Sequence, residues 1–156
     1  MRKILRVIIA LLVVGFVVLQ FFQPKKNLET TSANDLFVTQ QVPENVAQIL
    51  KNSCYDCHSN NTRYLWYHRI SPVSLMINHH IHEGKHELNF SEWGKMDVYD
   101  KITKLDEIER ETGRKTMPLK SYLLMHPSAK LNSEQIEIIN KWTKDLGEEL
   151  LKNSIK

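Results

Sequence analysis

The chain is 156 residues long, 42% apolar and 25% charged, an ordinary globular mix with room for one modest domain and an appendage. Its formal net charge of +3 equals the contribution of Arg2, Lys3 and Arg6, and the remaining 18 basic side chains match 18 acidic ones. A balanced remainder with no clustered basic face and no RNA-reading aromatic motif excludes nucleic acid as a partner.

Met1–Arg6 leads into Val7–Phe22, where Gln20 is the only polar residue. At 1.5 Å per residue the run covers about 24 Å, and Ile4-Leu5 with a snorkelling Arg6 extends it to nearly a bilayer core. No small-x-small cleavage site follows, only Phe21-Phe22-Gln23-Pro24-Lys25-Lys26. The pattern predicts an uncleaved transmembrane signal anchor over residues 1–23, single-pass in the cytoplasmic membrane, with the lipid bilayer as partner through residues 4–22. Basic residues ahead of the span place the amino terminus in the cytoplasm and the rest in the periplasm or extracytoplasmic space. Residues 24–42 are polar and aperiodic and read as a flexible stalk, from which Leu36, Phe37 and Val38 can dock back. A folded domain is expected over residues 43–152. Pro43 suits the first position of a helix whose Val46, Ile49 and Leu50 run toward Cys54.

Cys54-Tyr55-Asp56-Cys57-His58 holds the only two cysteines of the chain. Cys-x-x-Cys-His is the attachment signal of a c-type haem. Each thiol adds to one vinyl group of the porphyrin, so both sulfurs must leave one side of a short turn. On a helix, positions 54, 57 and 58 share a face, and His58 then reaches the iron as proximal ligand. Two rival readings are a thiol–disulfide redox pair, which normally opens a helix after a strand, and half of a zinc site, which two thiolates do not close. No strand pattern precedes Cys54.

Beyond the motif, Arg63, Tyr64, Trp66 and Tyr67 are placed to pack the ring or bind a propionate. Ser71-Pro72 reads as the start of a second helix, with Gly84 as its stop. That helix carries His79, His80 and His82, with His86 just beyond. These could bind zinc or copper, but no His-Glu-x-x-His pattern is present; His80 is kept as an alternative distal iron ligand. Ser91 reads as the cap of a third helix with Trp93, Met96, Ile102, Leu105 and Ile108 on one stripe up to Gly113. Met117-Pro118 follows in a loop, where proline pushes Met117 into an extended conformation. A thioether so presented is a sixth ligand to haem iron, with Met76, Met125 and His126 as competitors. Asn132 with Gln135 forms a capping-box-like start to a last helix lined by Ile136, Ile139, Trp142, Leu146 and Leu150. With no second attachment motif, one haem is expected.

The order of these features, proximal Cys54/Cys57/His58, late Met117-Pro118 and a carboxyl-terminal helix, is similar to class I cytochromes c. More closely, Ser53–Asn60, Pro72-Val73-Ser74, Glu83-Gly84, Leu88–Ser91 and Met117–Tyr122 resemble the small bacterial haem-binding domain family over residues 43–150. The resemblance implies a membrane-anchored or secreted monohaem protein. The expected fold is therefore all-α, a cytochrome c-like helical domain around one covalent haem c, preceded by a single transmembrane helix. The expected function is one-electron transfer at the outer membrane face, with other redox proteins of the membrane or periplasm as partners and no enzymatic turnover. The alternative is a haem sensor or peroxidase-like protein with an open sixth position, served by His79 or His80; a disulfide oxidoreductase is the third reading.

Overall fold

The computed structural model describes residues 1–155, and every regular element in them is helical. Extended pairing is limited to one antiparallel bridge between Leu28 and Asn61. The all-α expectation holds, but the transmembrane helix does not. Helix α1 spans Arg2–Leu19 and includes Arg2, Lys3 and Arg6. Its uncharged remainder, Val7–Leu19, is about 20 Å long against a hydrocarbon core of about 30 Å. No helix among the described residues is long and apolar enough to cross a membrane. The single-pass placement, with an extracytoplasmic domain beyond it, thereby loses its spanning segment.

The helix stops where Gln20, the one polar residue of the Val7–Phe22 run, is engaged. Gln20 Nε2 donates to the Ser71 carbonyl at 3.0 Å, and the Ser71 N–H donates back to Gln20 Oε1 at 3.0 Å. Residues 24–42 are then laid along the domain. Asn27 Nδ2 donates to the Ser59 carbonyl and the Thr62 hydroxyl at 2.8 and 2.9 Å, and the Glu29 N–H donates to the Asn60 carbonyl at 2.9 Å. Asp35 caps the single-turn helix α2 (Leu36–Thr39) by accepting from the Phe37 N–H. Leu36 is fully buried, Phe37 packs at the edge of the core, and Val38 remains exposed.

Helix α3 (Glu44–Ser53) buries Val46, Ala47, Ile49 and Leu50, and a separate turn, α4 (Tyr55–His58), follows at once. Helix α5 (Val73–Glu87) begins after Ser71-Pro72, but Ser71 spends its hydroxyl on Ser74 and Gln23 instead of capping. A 3₁₀ turn, Phe90–Lys95, precedes helix α6 (Val98–Gly113). Ser91 therefore lies inside that turn, and the cap of α6 is Asp97, which accepts the Asp100 N–H. A short helix, α7 (Lys120–Leu123), leads to α8 (Ser133–Ser154), whose Asn132/Gln135 capping box is the expected one. Leu105 and Ile108 of α6 meet Ile139, Trp142 and Leu146 of α8, and this layer continues through Phe90, Trp93 and Leu36 to α3.

Gly84 does not stop α5; the helix runs a further turn to Glu87. A Cβ at Gly84 would stand 2.8 Å from the Cys57 carbonyl oxygen and 3.3 Å from its carbonyl carbon. Backbone thus packs on backbone, and only glycine fits. Gly84→Ala is expected to destabilise the fold by about 1–3 kcal/mol, as overpacking does. Gly147→Ala in α8, where the nearest atom is 3.9 Å from the new carbon, should be neutral or stabilising by up to about 1 kcal/mol. Urea midpoints of the two variants check both outcomes.

Candidate functional site

The attachment motif is shaped by a break in the helix. α3 ends at Ser53, Cys54 adopts φ −125° and ψ −44°, and the chain then closes one new turn. The Cys57 and His58 N–H groups both donate to the Cys54 carbonyl, at 3.2 and 3.0 Å. Cys54, Cys57 and His58 consequently line one cavity of about 380 Å³, within the size range of small-molecule and cofactor sites. Both cysteines are free. Ile77, Ile81 and Gly84 of α5 form one wall, Met117, Pro118 and Leu119 another, and Tyr67 and His68 close a third side.

Local chemistry suits an uncharged attachment. Burial pushes the Cys54 thiol up to about 12, aided by Cys57, and burial with the nearby Asp56 carboxylate pushes Cys57 up to about 11. A thiolate is disfavoured here, whereas a thioether has no proton to lose. His58 Nδ1 lies 3.0 Å from the Leu88 carbonyl, which holds the ring proton there and leaves the Nε2 lone pair available. Burial lowers the pKa of His58 against the opposing carbonyls of Leu88 and Gly84 and the charge of Glu87, so the ring stays neutral as a ligand must.

The turn is braced by Asp56, one of the two residues between the cysteines. Its buried carboxylate accepts from the Arg63 N–H at 3.1 Å, Arg63 Nη2 at 3.2 Å and the Tyr122 hydroxyl at 2.8 Å. Its carbonyl accepts from Thr62 Oγ1 at 2.6 Å. Tyr55 stacks between Phe37 and Phe90 and donates to Asp35, joining the same turn to the core.

A family model described as a haem-binding domain matches residues 14–145. The chain belongs to the haem-binding domain family. It is a haem protein, and no curated protein and no solved structure matches it.

The residues present fit the cofactor of this haem-binding domain: an apolar cavity, a neutral imidazole with its tautomer held, and two thiols on one face. Met117 and His80, both half-buried, line the cavity, as do Met76, Met125 and His126. His126 is engaged at both ring nitrogens, Nδ1 with the Tyr122 carbonyl and Nε2 with the Tyr67 hydroxyl, each at 3.2 Å. Of the aromatic stretch, Arg63 and Tyr67 reach the cavity, while Tyr64 packs under Lys26 and Trp66 is exposed. His82 and His86 are exposed and outside the cavity lining, with Nδ1 atoms 3.4 and 3.6 Å from Glu83 and Glu87 Oε1. Among the described residues, no three His, Cys, Asp or Glu side chains converge to hold a lone metal ion, so the half zinc site has no completing ligands. Sequence reasoning missed Asp56, Tyr122, the Leu88 carbonyl and the packing role of Gly84. All four lie in the stretches that carry the family resemblance, but nothing in the residues announced the contacts they make.

His68 supplies a pH dependence. Its Nδ1 accepts the Leu65 N–H at 2.6 Å, and burial, reinforced by neighbouring His126 and opposed by Asp56, holds its pKa below the ordinary imidazole value. The stability this neutral ring contributes is present above about pH 6.5, where the unfolded imidazole titrates. It is lost as pH falls through that value toward the lower folded one. The urea midpoint of the haem-loaded chain is therefore expected to be lower at pH 5 than at pH 7. In His68→Asn, which keeps an acceptor but does not titrate, the difference should shrink.

Proposed function

We propose that this protein holds one haem c through thioethers to Cys54 and Cys57, with His58 as proximal ligand and Met117 as sixth ligand, and serves as a one-electron carrier. The observation that carries the reading is convergence: two residues 54 and 57, the adjoining His58, and Met117 some sixty positions later all line the same cavity. Haem supplies reversible one-electron chemistry when bound. The chain's own residues supply the rest. Cys54 and Cys57, held by the α4 turn, would anchor the haem in the cavity walled by α5. The Leu88 carbonyl fixes the orientation of His58 and raises its basicity. A soft thioether favours the reduced metal and raises the potential relative to a second imidazole. Partners of such a carrier are other redox proteins, met through small, transient contacts.

Met117 is preferred over His126 because both ring nitrogens of His126 already have protein partners. Among the described residues His80 has no such engagement, and it lines the same cavity, which supports the second reading, a haem sensor or peroxidase-like site. A thiol–disulfide enzyme fits least, since it needs a stabilised thiolate and both thiols are pushed the other way.

Protein made with a cytochrome c maturation system is expected to carry the mass of one haem and to keep its colour in acidified acetone. Cys54→Ala combined with Cys57→Ala should lose both properties. In the loaded protein, Met117→Ala should abolish the methionine–iron charge-transfer absorption of the ferric state and lower the reduction potential, while His80→Ala should leave both in place. A colourless mature protein, or an unchanged spectrum in Met117→Ala, would overturn the covalent or the axial part of the reading respectively.

A further inference from the structure

The stretch that bears Met117 is tied to the attachment turn by direct side-chain bonds that need no cofactor. Asn52 Nδ2 donates to the Ser128 carbonyl at 2.8 Å, and Ser53 Oγ donates to the Ala129 carbonyl at 2.9 Å. These two fix the far end of the stretch. The third tie is different in place and chemistry: the Tyr122 hydroxyl donates to Asp56 Oδ2 at 2.8 Å, between the two cysteines. Tyr122 also sits on α7, whose single turn is closed by the Leu123 N–H donating to the Leu119 carbonyl at 3.1 Å. Only Pro118 and that turn separate Met117 from the tyrosine.

Little slack remains in this arrangement. The Asp56 carboxylate is buried and its other two hydrogen bonds both come from Arg63, so a displaced Tyr122 leaves a buried carboxylate short of a partner. The tyrosine ring lies flat on His126, with centroids 4.0 Å apart and planes 14° apart. His126 is itself held by the Tyr67 hydroxyl. Tyr122 thus joins the floor of the cavity, at Asp56, to the wall that carries the methionine.

Resting on the reading that Met117 supplies the sixth ligand, we propose that Tyr122 is a positioning residue whose hydroxyl, anchored on Asp56, sets where Met117 stands over the cavity. It thereby decides between a closed sixth position and an open one. An electron carrier needs the closed form; a sensor or peroxidase-like site needs the open one.

The test uses haem-loaded Tyr122→Phe, which keeps the ring and its stacking and removes only the hydroxyl. Covalent haem is retained, the methionine–iron charge-transfer absorption weakens, and carbon monoxide binds the ferrous protein about tenfold faster or more, the scale of one lost hydrogen bond to a charged group. Asp56→Asn, which keeps an acceptor without the charge, shifts both readouts in the same direction by less. It decides the matter if Tyr122→Phe yields no loaded protein. Asn52→Ala cuts a neighbouring tie at a residue outside the cavity lining and serves as control: it lowers the urea midpoint but leaves spectrum and carbon monoxide rate unchanged. Tyr122→Phe indistinguishable from the parent, or Asn52→Ala shifting the spectrum equally, overturns the proposal. Should Met117→Ala also leave the spectrum unchanged, the ligand reading falls with it; an altered Met117→Ala beside a silent Tyr122→Phe removes the role of Tyr122 alone.

Discussion

The contact between the Gly84 backbone and the Cys57 carbonyl sets the geometry of the cavity. Because α5 carries no side chain at that point, its axis approaches the α4 turn as closely as two backbones allow. That approach brings Ile77, His80 and Ile81 alongside the cysteines as one wall. It also puts the end of α5 where the Leu88 carbonyl meets His58 Nδ1. One glycine therefore governs both the shape of the wall and the orientation of the His58 imidazole. A side chain there would move both together, since neither the helix nor the turn can yield alone.

Two buried carboxylates hold the turn from opposite sides. Asp35 accepts from the Phe37 N–H, the Tyr55 hydroxyl and the Ser91 hydroxyl. Asp56 accepts from Arg63 twice and from Tyr122. A buried carboxylate without partners is strongly unfavourable, so each acts as a node that every neighbour must satisfy in a single arrangement. Their effect on the donors is visible: burial together with Asp35 raises the pKa of Tyr55, and burial together with Asp56 raises that of Tyr122. Both hydroxyls are thereby favoured in the protonated form, which donates. The residues ahead of the domain and those after α6 are thus stitched to the attachment turn through acids that lie on either side of Cys54 in sequence.

Much of this was legible in the residues and some was not, for physical reasons. The Cys54-x-x-Cys57-His58 spacing pointed to haem, in agreement with the family match, and the stripe Leu105, Ile108, then Ile139, Trp142, Leu146, announces two packed helices because burial follows the helical period. The Asn132/Gln135 box is equally local. What composition could not disclose were pairings between distant positions. Gly84 resembled a helix stop because local sequence does not show that another backbone lies against it. Ser91 resembled a cap, yet its hydroxyl is taken by Asp35, 56 residues earlier. Tyr122 carried no local signal, because its role exists only where α7 meets Asp56.

The amino-terminal helix illustrates how a hydropathy run and a helix can differ in extent. Sixteen residues from Val7 to Phe22 read as one apolar stretch with a single polar interruption at Gln20. In the fold that interruption is the boundary. The Gln20 amide exchanges a pair of 3.0 Å bonds with the Ser71 backbone, the same two-way pattern a β-bridge uses, and α1 ends one residue earlier at Leu19. Phe21 and Phe22 are left outside the helix, and the charged first turns are left inside it, which is why the uncharged helical length falls short of a hydrocarbon core. Ser71 is fully buried and also closes on Ser74 at the start of α5. The direction in which α1 leaves the domain is therefore set at the start of the helix that walls the cavity lined by Cys54, Cys57 and His58. A polar residue embedded in an apolar run is better read as a point of attachment than as a tolerated exception.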